Sequence, residues 1–130
     1  MWYFILVTFV VLVLFLNYQP DANANSEFFV SNTKGSYNLG CELDNSCFEP
    51  YLVNISVGDT VIWTNNDDAI HVVVSGAPNK ESFKNLDDGE IFDSGFLKSK
   101  ESFSHTFNQE GLFGYFCTLH PWMKAQVIVE

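Results

Sequence analysis

The chain has 130 residues, with 6 Lys or Arg against 16 Asp or Glu, so its formal net charge is −10 at pH 7. So few cations argue against nucleic acid as a partner, because phosphate binding requires clustered Lys and Arg. The acidic surface suits docking to a basic partner, although it is equally typical of a merely well-solvated protein.

The first 24 residues are predicted to be a targeting segment. Residues 2–16 are apolar apart from Thr8, and a helix of about 15 residues rises about 23 Å, short of the ~30 Å hydrocarbon core of a membrane. That length is typical of a signal peptide, and Ala-Asn-Ala at 22–24 offers a small-x-small cleavage site. Because no Lys or Arg precedes Lys34, a retained membrane anchor remains the alternative. In either case the rest of the chain is expected outside the cytoplasm.

Residues 25–130 have the length of one ordinary domain. Short segments rich in Val, Ile, Thr and aromatic residues predict strands at 52–57, 60–64, 71–75, 102–107, 112–117 and 125–129. Turn residues lie at 58–59, 65–68 and 108–111, and the polar residues 76–90 predict a long surface connection. Strands this short at this spacing indicate an all-β sandwich or small barrel.

The three cysteines divide into a near pair and a single residue. Five residues separate Cys41 from Cys47, whereas Cys117 is distant from both. Outside the cytoplasm the near pair predicts a disulfide, which contributes about 2.4 kcal/mol in the chain-entropy model. The spacing does not match the two to four residues that separate the ligands of common zinc sites. Cys117 is therefore left as a free thiol whose presence needs a reason.

Residues 115–123, YFCTLHPWM, contain the densest chemistry in the chain. Cys117, His120 and Met123 follow one another with two residues between each, in a chain with only 3 Cys, 3 His and 2 Met. Alternation along the preceding strand turns Cys117 toward the core face. A thiolate, an imidazole and a thioether are soft or borderline donors that select copper over magnesium or calcium. An electron-transfer copper site has two His, one Cys and a weak axial Met, so one further His is needed.

Two histidines compete for that place. His71 follows the turn at 65–68 and begins a predicted strand, whereas His105 lies inside a strand and shares a face with Phe103 and Phe107. Ligands of such a site belong at one pole of a sandwich, where the loops gather. We therefore predict His71 as the ligand and interpret His105 as a core-face histidine that is hydrogen-bonded to the backbone.

A distant His followed by C-x-x-H-x-x-M resembles the type 1 (blue) copper proteins, the cupredoxins. The loop CTLHPWM is similar to the short loops of amicyanin and of archaeal relatives of plastocyanin and halocyanin. The resemblance covers about residues 50–130, including VGDTVIWTNND before His71 and FSHTFNQEGLFGYFC before the loop. Residues 25–49 fall outside it. The resemblance implies a Greek-key β-sandwich of about eight strands.

The resemblance also implies the roles of four residues at one copper ion. It makes His71, Cys117 and His120 the equatorial ligands and Met123 the weak axial ligand. One position departs from the family, which often has Asn directly after the first His ligand. Here that residue is Val72, whose side chain cannot form a hydrogen bond.

The family's mode of electron transfer implies a docking patch around the loop His. In family members this His lies at an exposed edge within an apolar surface, through which electrons pass. Here it is His120, and Leu119, Pro121 and Trp122 would form the patch. Ordinary packing over the loop is the alternative for Trp122.

These features predict a one-electron carrier, and not an enzyme, that exchanges Cu(II) and Cu(I) between redox proteins outside the cytoplasm. The partners are expected to be membrane-bound or secreted, with a basic docking surface. The alternative is copper storage or delivery, although the chain lacks the Met- or His-rich runs that favour it. Copper oxidases and reductases need a second metal centre with additional His, for which three His in total do not suffice.

Overall fold

The computed structural model describes residues 25–78 and 89–130. In chain order these form β1 (Glu27–Asn32), a 3-10 turn (Cys41–Leu43), β2 (Phe48–Glu49), β3 (Leu52–Ile55), β4 (Thr60–Asn65), β5 (Val74–Ser75), β6 (Ser102–Thr106), β7 (Gly111–Phe116) and β8 (Lys124–Val129). The predicted targeting segment and most of the predicted connection at 76–90 lie outside the described residues. Within the described ranges no helix is both long enough and apolar enough to cross a membrane.

The eight strands form two four-stranded sheets. One sheet has the order β2-β1-β4-β6 and the other has the order β3-β8-β7-β5. Both sheets are mixed, because β1 runs parallel to β4 and β3 runs parallel to β8, while the other pairs are antiparallel. The predicted all-β, Greek-key sandwich of about eight strands is therefore confirmed.

Five of the six predicted strands lie close to observed ones, and the sixth is too long. The predicted strand at 71–75 is reduced to Val74–Ser75. His71 makes only an isolated bridge to Leu97, and Val74 a second one to Asp93, so the pairing before β5 is interrupted. His71 thus lies in the loop that leads into β5, at one pole of the sandwich.

The core between the sheets is aromatic. Trp63 is fully buried on β4, and its ring centroid lies 5.3 Å from that of Tyr115 on β7 and 5.2 Å from that of Phe92. Tyr115 and Cys117 are both buried, as alternation along β7 predicted. This packing joins the two sheets, since Trp63 and Tyr115 belong to different ones.

A disulfide lies in the connection between β1 and β2. Cys41 and Cys47 are bonded to each other, as predicted from their spacing, and Cys117 is a free, buried cysteine. The segment from Thr33 to Cys47, which contains the disulfide, packs at the same pole as the loop after β7, since Trp122 donates a hydrogen bond to it.

Candidate metal centre

The loop between β7 and β8 is a continuation of their antiparallel ladder. Phe116 pairs with Lys124 at the end of the ladder. One step further, the Cys117 N–H donates to the Met123 carbonyl at 3.1 Å, and the Met123 N–H donates to the His120 carbonyl at 2.9 Å. The backbone therefore holds all three chemically active side chains of this loop on a closed turn.

His71 is held from both sides by backbone contacts. Its N–H donates to the Leu97 carbonyl at 3.1 Å, and the Leu97 N–H donates back at 2.8 Å. The side-chain amide of Asn65, at the end of β4, donates to the carbonyls of Ala69 and Leu97 and so shapes the loop before the histidine. As a result the His71 side chain is completely buried.

These two loops bring three donor atoms together. The His71 Nδ1 lies 3.7 Å from the Cys117 Sγ and 3.2 Å from the His120 Nδ1, and the Cys117 Sγ lies 3.6 Å from the His120 Nδ1. A point equidistant from the three atoms is about 2.0 Å from each of them, which is the usual length of a bond between imidazole nitrogen and a first-row metal. Two imidazoles and a thiolate in this arrangement fit copper.

Met123 belongs to the same loop as Cys117 and His120, whereas His105 lies on β6. Met123 closes the loop and is fully buried. His105 lies on β6, half-buried, with its ring centroid 5.1 Å from that of Phe92 and 4.8 Å from that of Phe107. Among residues 25–78 and 89–130 the His105 ring makes no hydrogen bond, so the expected backbone hydrogen bond is not seen there. Burial lowers the pKa of His105.

A buried carboxylate orients the His71 ring. The Asp67 Oδ2 lies 2.8 Å from the His71 Nε2, and both side chains are almost completely buried. Because a carboxylate only accepts hydrogen bonds, the His71 Nε2–H donates to Asp67, and Nδ1 is the ring nitrogen on the side of the Cys117 sulfur. A partner of this kind fixes the orientation of a metal-binding histidine and makes it a better donor.

The charge of Asp67 is stabilised by several hydrogen bonds at once. Burial acts to raise the pKa of Asp67, but donors outweigh it and lower the pKa below the ordinary value. The donors are the backbone N–H groups of Gly35, Tyr37 and Asp68, together with His71. Asp67 was predicted only as part of a turn, and its contact with His71, the predicted ligand, was not predicted.

The Cys117 sulfur also receives a hydrogen bond. The backbone N–H of Val72 donates to the Sγ at 3.4 Å. The absence of a polar side chain at this position therefore does not leave the sulfur without a donor, since the backbone connects the two ligand loops. Thr118, the residue after the cysteine, has an exposed side chain.

His120 lies at the boundary between the centre and solvent. It is half-buried, and burial together with the nearby His71 lowers its pKa. Leu119 and Pro121 on either side are exposed, and Leu119 has 45% of its surface accessible. Trp122 is half-buried, with its ring centroid 5.3 Å from that of His120, so it contributes packing as well as surface.

An eight-stranded sandwich with two histidines and a cysteine converging at one pole defines the cupredoxin class of copper protein. Residues 35–130 match the family model of copper-binding proteins of the plastocyanin/azurin family. The chain therefore belongs to this family, and copper is its cofactor.

Relatives and solved structures agree with this placement. Amicyanin from Paracoccus versutus is 38% identical over 80 residues, which cover 60% of this chain and 54% of that protein. Chloroplastic plastocyanin from Tetradesmus obliquus is 31% identical over 112 residues, covering 84% and 76%. A solved structure of a purple cupredoxin from Nitrosopumilus maritimus has a TM-score of 0.67 and 29% identity, covering 79% of this chain and 99% of that one. The matches to amicyanins span between 54% and 64% of the lengths of those relatives.

Removing the Asp67 carboxylate is expected to destabilise the copper-free protein strongly. Asp67→Ala leaves several buried donors without an acceptor, which costs on the order of 3 kcal/mol of unfolding free energy. Asp68→Ala is the matched control, because the Asp68 side chain is 77% exposed and its one contact in the described part of the chain is an ion pair with Lys34. We expect Asp68→Ala to stay within about 0.5 kcal/mol of the wild type. Urea unfolding followed by tryptophan fluorescence measures both, and equal effects would contradict the role of Asp67.

Proposed function

We propose that the protein is a one-electron carrier in which His71, Cys117 and His120 hold copper and Met123 is the weak axial ligand. The observation that carries this proposal is the convergence of two imidazole nitrogens and one buried thiol sulfur, with pairwise distances of 3.2–3.7 Å. When bound, copper supplies the one-electron couple. The family relationship supports the same chemistry.

The contribution of the chain itself is a rigid set of donors. His71 is held by Asp67 and by its backbone contacts with Leu97, and the Val72 N–H is directed at the sulfur of Cys117. Donors fixed in this way move little when the charge at the centre changes, so little reorganisation opposes electron transfer. Burial also excludes water from all but the His120 side of the centre.

Electrons are proposed to enter and leave at His120. It is the only one of the three donor residues that is not fully buried, and the exposed apolar residues Leu119 and Pro121 flank it. An apolar surface of this kind allows close approach of a partner at little desolvation cost. Trp122 extends this surface on the side that faces the disulfide-containing segment.

The proposed place of action is outside the cytoplasm, where residues 25–130 act as one domain after removal of residues 1–24 or remain anchored through them. The Cys41–Cys47 disulfide supports this location, because disulfides persist in oxidising compartments. The proposed partners are redox proteins, membrane-bound or secreted, and no catalytic turnover is assigned to the chain.

The acidic surface predicts how electron transfer depends on salt. With a formal net charge of −10, the protein is expected to react more slowly with a cationic oxidant as ionic strength rises, because salt screens the attraction. With an anionic oxidant such as ferricyanide, the rate is expected to rise instead. Stopped-flow absorption with both reagents between 10 mM and 500 mM salt measures the two slopes. Slopes of the same sign would contradict electrostatic steering by the net charge.

Copper retention on reduction separates a carrier from a protein that stores or delivers copper. The copper-loaded chain is reduced with ascorbate in the presence of a chromogenic Cu(I) chelator and then reoxidised. A carrier is expected to keep its copper and recover its full visible absorption through several cycles. Rapid transfer of copper to the chelator after reduction would instead favour storage or delivery.

A further inference from the structure

The segment Thr33–Cys47, here called the brace, is a closed unit at the pole of the copper centre. The disulfide closes its last seven residues, Cys41 to Cys47, and within that loop the Ser46 N–H donates to the Cys41 carbonyl at 2.8 Å. At its start, the Thr33 hydroxyl donates to the Ser46 carbonyl at 2.6 Å, and the Thr33 N–H donates to the Cys47 carbonyl at 3.1 Å. The first residue of the brace is therefore hydrogen-bonded to its last two residues.

The brace binds the carboxylate that orients His71. The Gly35 N–H donates to the Asp67 Oδ1 at 2.8 Å, and the Tyr37 N–H donates to the Oδ2 at 3.1 Å. The Oδ2 is also the atom that contacts the His71 Nε2. Two successive contacts thus connect the backbone of the brace to the first predicted copper ligand.

The same short stretch of the brace binds the second ligand loop. The Trp122 Nε1–H donates to the Ser36 carbonyl at 3.0 Å, and Ser36 is almost completely buried. The Trp122 ring packs against His120. Residues 35–37 therefore lie between the loop that carries His71 and the loop that carries His120, and they hydrogen-bond to both.

We propose that the brace positions both histidine ligands and slows the release of copper. The inference rests on the proposed function and extends it to residues that make no contact with the metal. Asp67 and Trp122 are the positioning residues. The disulfide supports the backbone of residues 35–37, since the Cys41 Sγ lies 3.7 Å from the Ser36 carbonyl oxygen. Outer partners of metal ligands commonly change metal affinity by 10–100-fold, so loosening the brace should have a measurable effect on copper retention.

Copper release from the full-length chain tests the brace. Copper-loaded protein is mixed with excess EDTA, and the loss of the visible absorption gives the release rate. Trp122→Phe removes the Nε1–H donor but keeps an aromatic ring beside His120, and the double variant Cys41→Ser/Cys47→Ser opens the brace. Each is expected to release copper about 10-fold faster than the wild type, with a changed copper hyperfine splitting in the EPR spectrum.

Two controls separate positioning from general destabilisation. Lys34 lies in the brace, but its side chain is exposed and, among the described residues, forms an ion pair with Asp68 alone. Lys34→Ala should therefore release copper at the wild-type rate. Val53→Ala, in the core on β3 and outside the brace segment, should lower the thermal midpoint but retain the wild-type EPR spectrum and release rate.

The possible outcomes distinguish the brace from the proposed function. If Val53→Ala releases copper as fast as the brace variants at an equal loss of thermal midpoint, the brace has no positioning role. Wild-type release rates in both Trp122→Phe and the double serine variant would also overturn the positioning role of the brace, while the proposed carrier function would stand. A wild-type chain that binds no copper would overturn the proposed function and the brace together.

Discussion

Replacing Cys117 with serine is expected to abolish the intense visible absorption of the copper-loaded protein. That absorption arises from charge transfer between a thiolate sulfur and copper, and Cys117 is the free cysteine that lies among the histidines. A serine hydroxyl is a harder donor that does not ionise at neutral pH, so it does not replace the thiolate. Copper affinity should fall by more than about 100-fold, which exceeds the usual effect of losing an outer partner of a ligand.

The neighbouring residue provides the control for this substitution. Thr118 has an exposed side chain next to Cys117, so Thr118→Ala should keep the visible absorption and the copper affinity of the wild type. Absorption spectra during a copper titration measure both quantities, and thermal unfolding of the copper-free proteins shows whether each variant folds. An undiminished visible band in folded Cys117→Ser would show that the Cys117 thiolate is not a copper ligand.

His71→Ala and His105→Ala form the second pair with a large expected difference. His71→Ala removes one of the three converging donor atoms, whereas His105 packs between Phe92 and Phe107 on β6. We expect His71→Ala to lose most of the visible absorption and His105→Ala to keep it. Adding free imidazole should restore part of the absorption in His71→Ala, because the cavity left by the side chain admits a similar ring.

The opposite result would reassign the ligand. Loss of colour in His105→Ala together with its retention in His71→Ala would mean that the centre forms on β6 instead of at the pole. If both variants lose their colour, circular dichroism shows whether they have also lost their fold. In that case His71→Gln, which keeps a polar side chain of similar reach, and His105→Phe, which matches the surrounding rings, repeat the comparison in less disruptive form.

The alternation of residues in the second half of the chain was sufficient to predict most of the sandwich. Five strands were predicted within a few residues of their observed bounds, because each has a run of β-branched and aromatic residues ended by turn residues. β1 and β2 were not predicted. On β1, Phe28 and Phe29 stand side by side and Phe29 is 65% exposed, so the segment lacks a clear alternation, and its parallel pairing with β4 is long-range.

The sequence predicted the side chains of the candidate copper centre better than it predicted the groups that hydrogen-bond to them. Residue types and spacing predicted Cys117 and His120 together, and the structure places His71 beside them, whereas the roles of all four predicted ligands remain predictions. Asp67 and the brace were not predicted, because their contacts depend on how backbone N–H groups of residues 35 and 37 meet a carboxylate 30 or more residues away. The hydrogen bond from Val72 to the sulfur likewise involves a backbone group, which side-chain identity does not reveal.

A copper centre formed by Cys117 and two histidines that carries one electron is tested most directly by absorption and EPR spectra of the chain after addition of Cu(II). We expect saturation at one copper per chain, an intense visible thiolate-to-copper band, and a reversible loss of that band and of the EPR signal on reduction. A weak band, or copper that leaves the protein when it is reduced, would contradict a one-electron copper carrier.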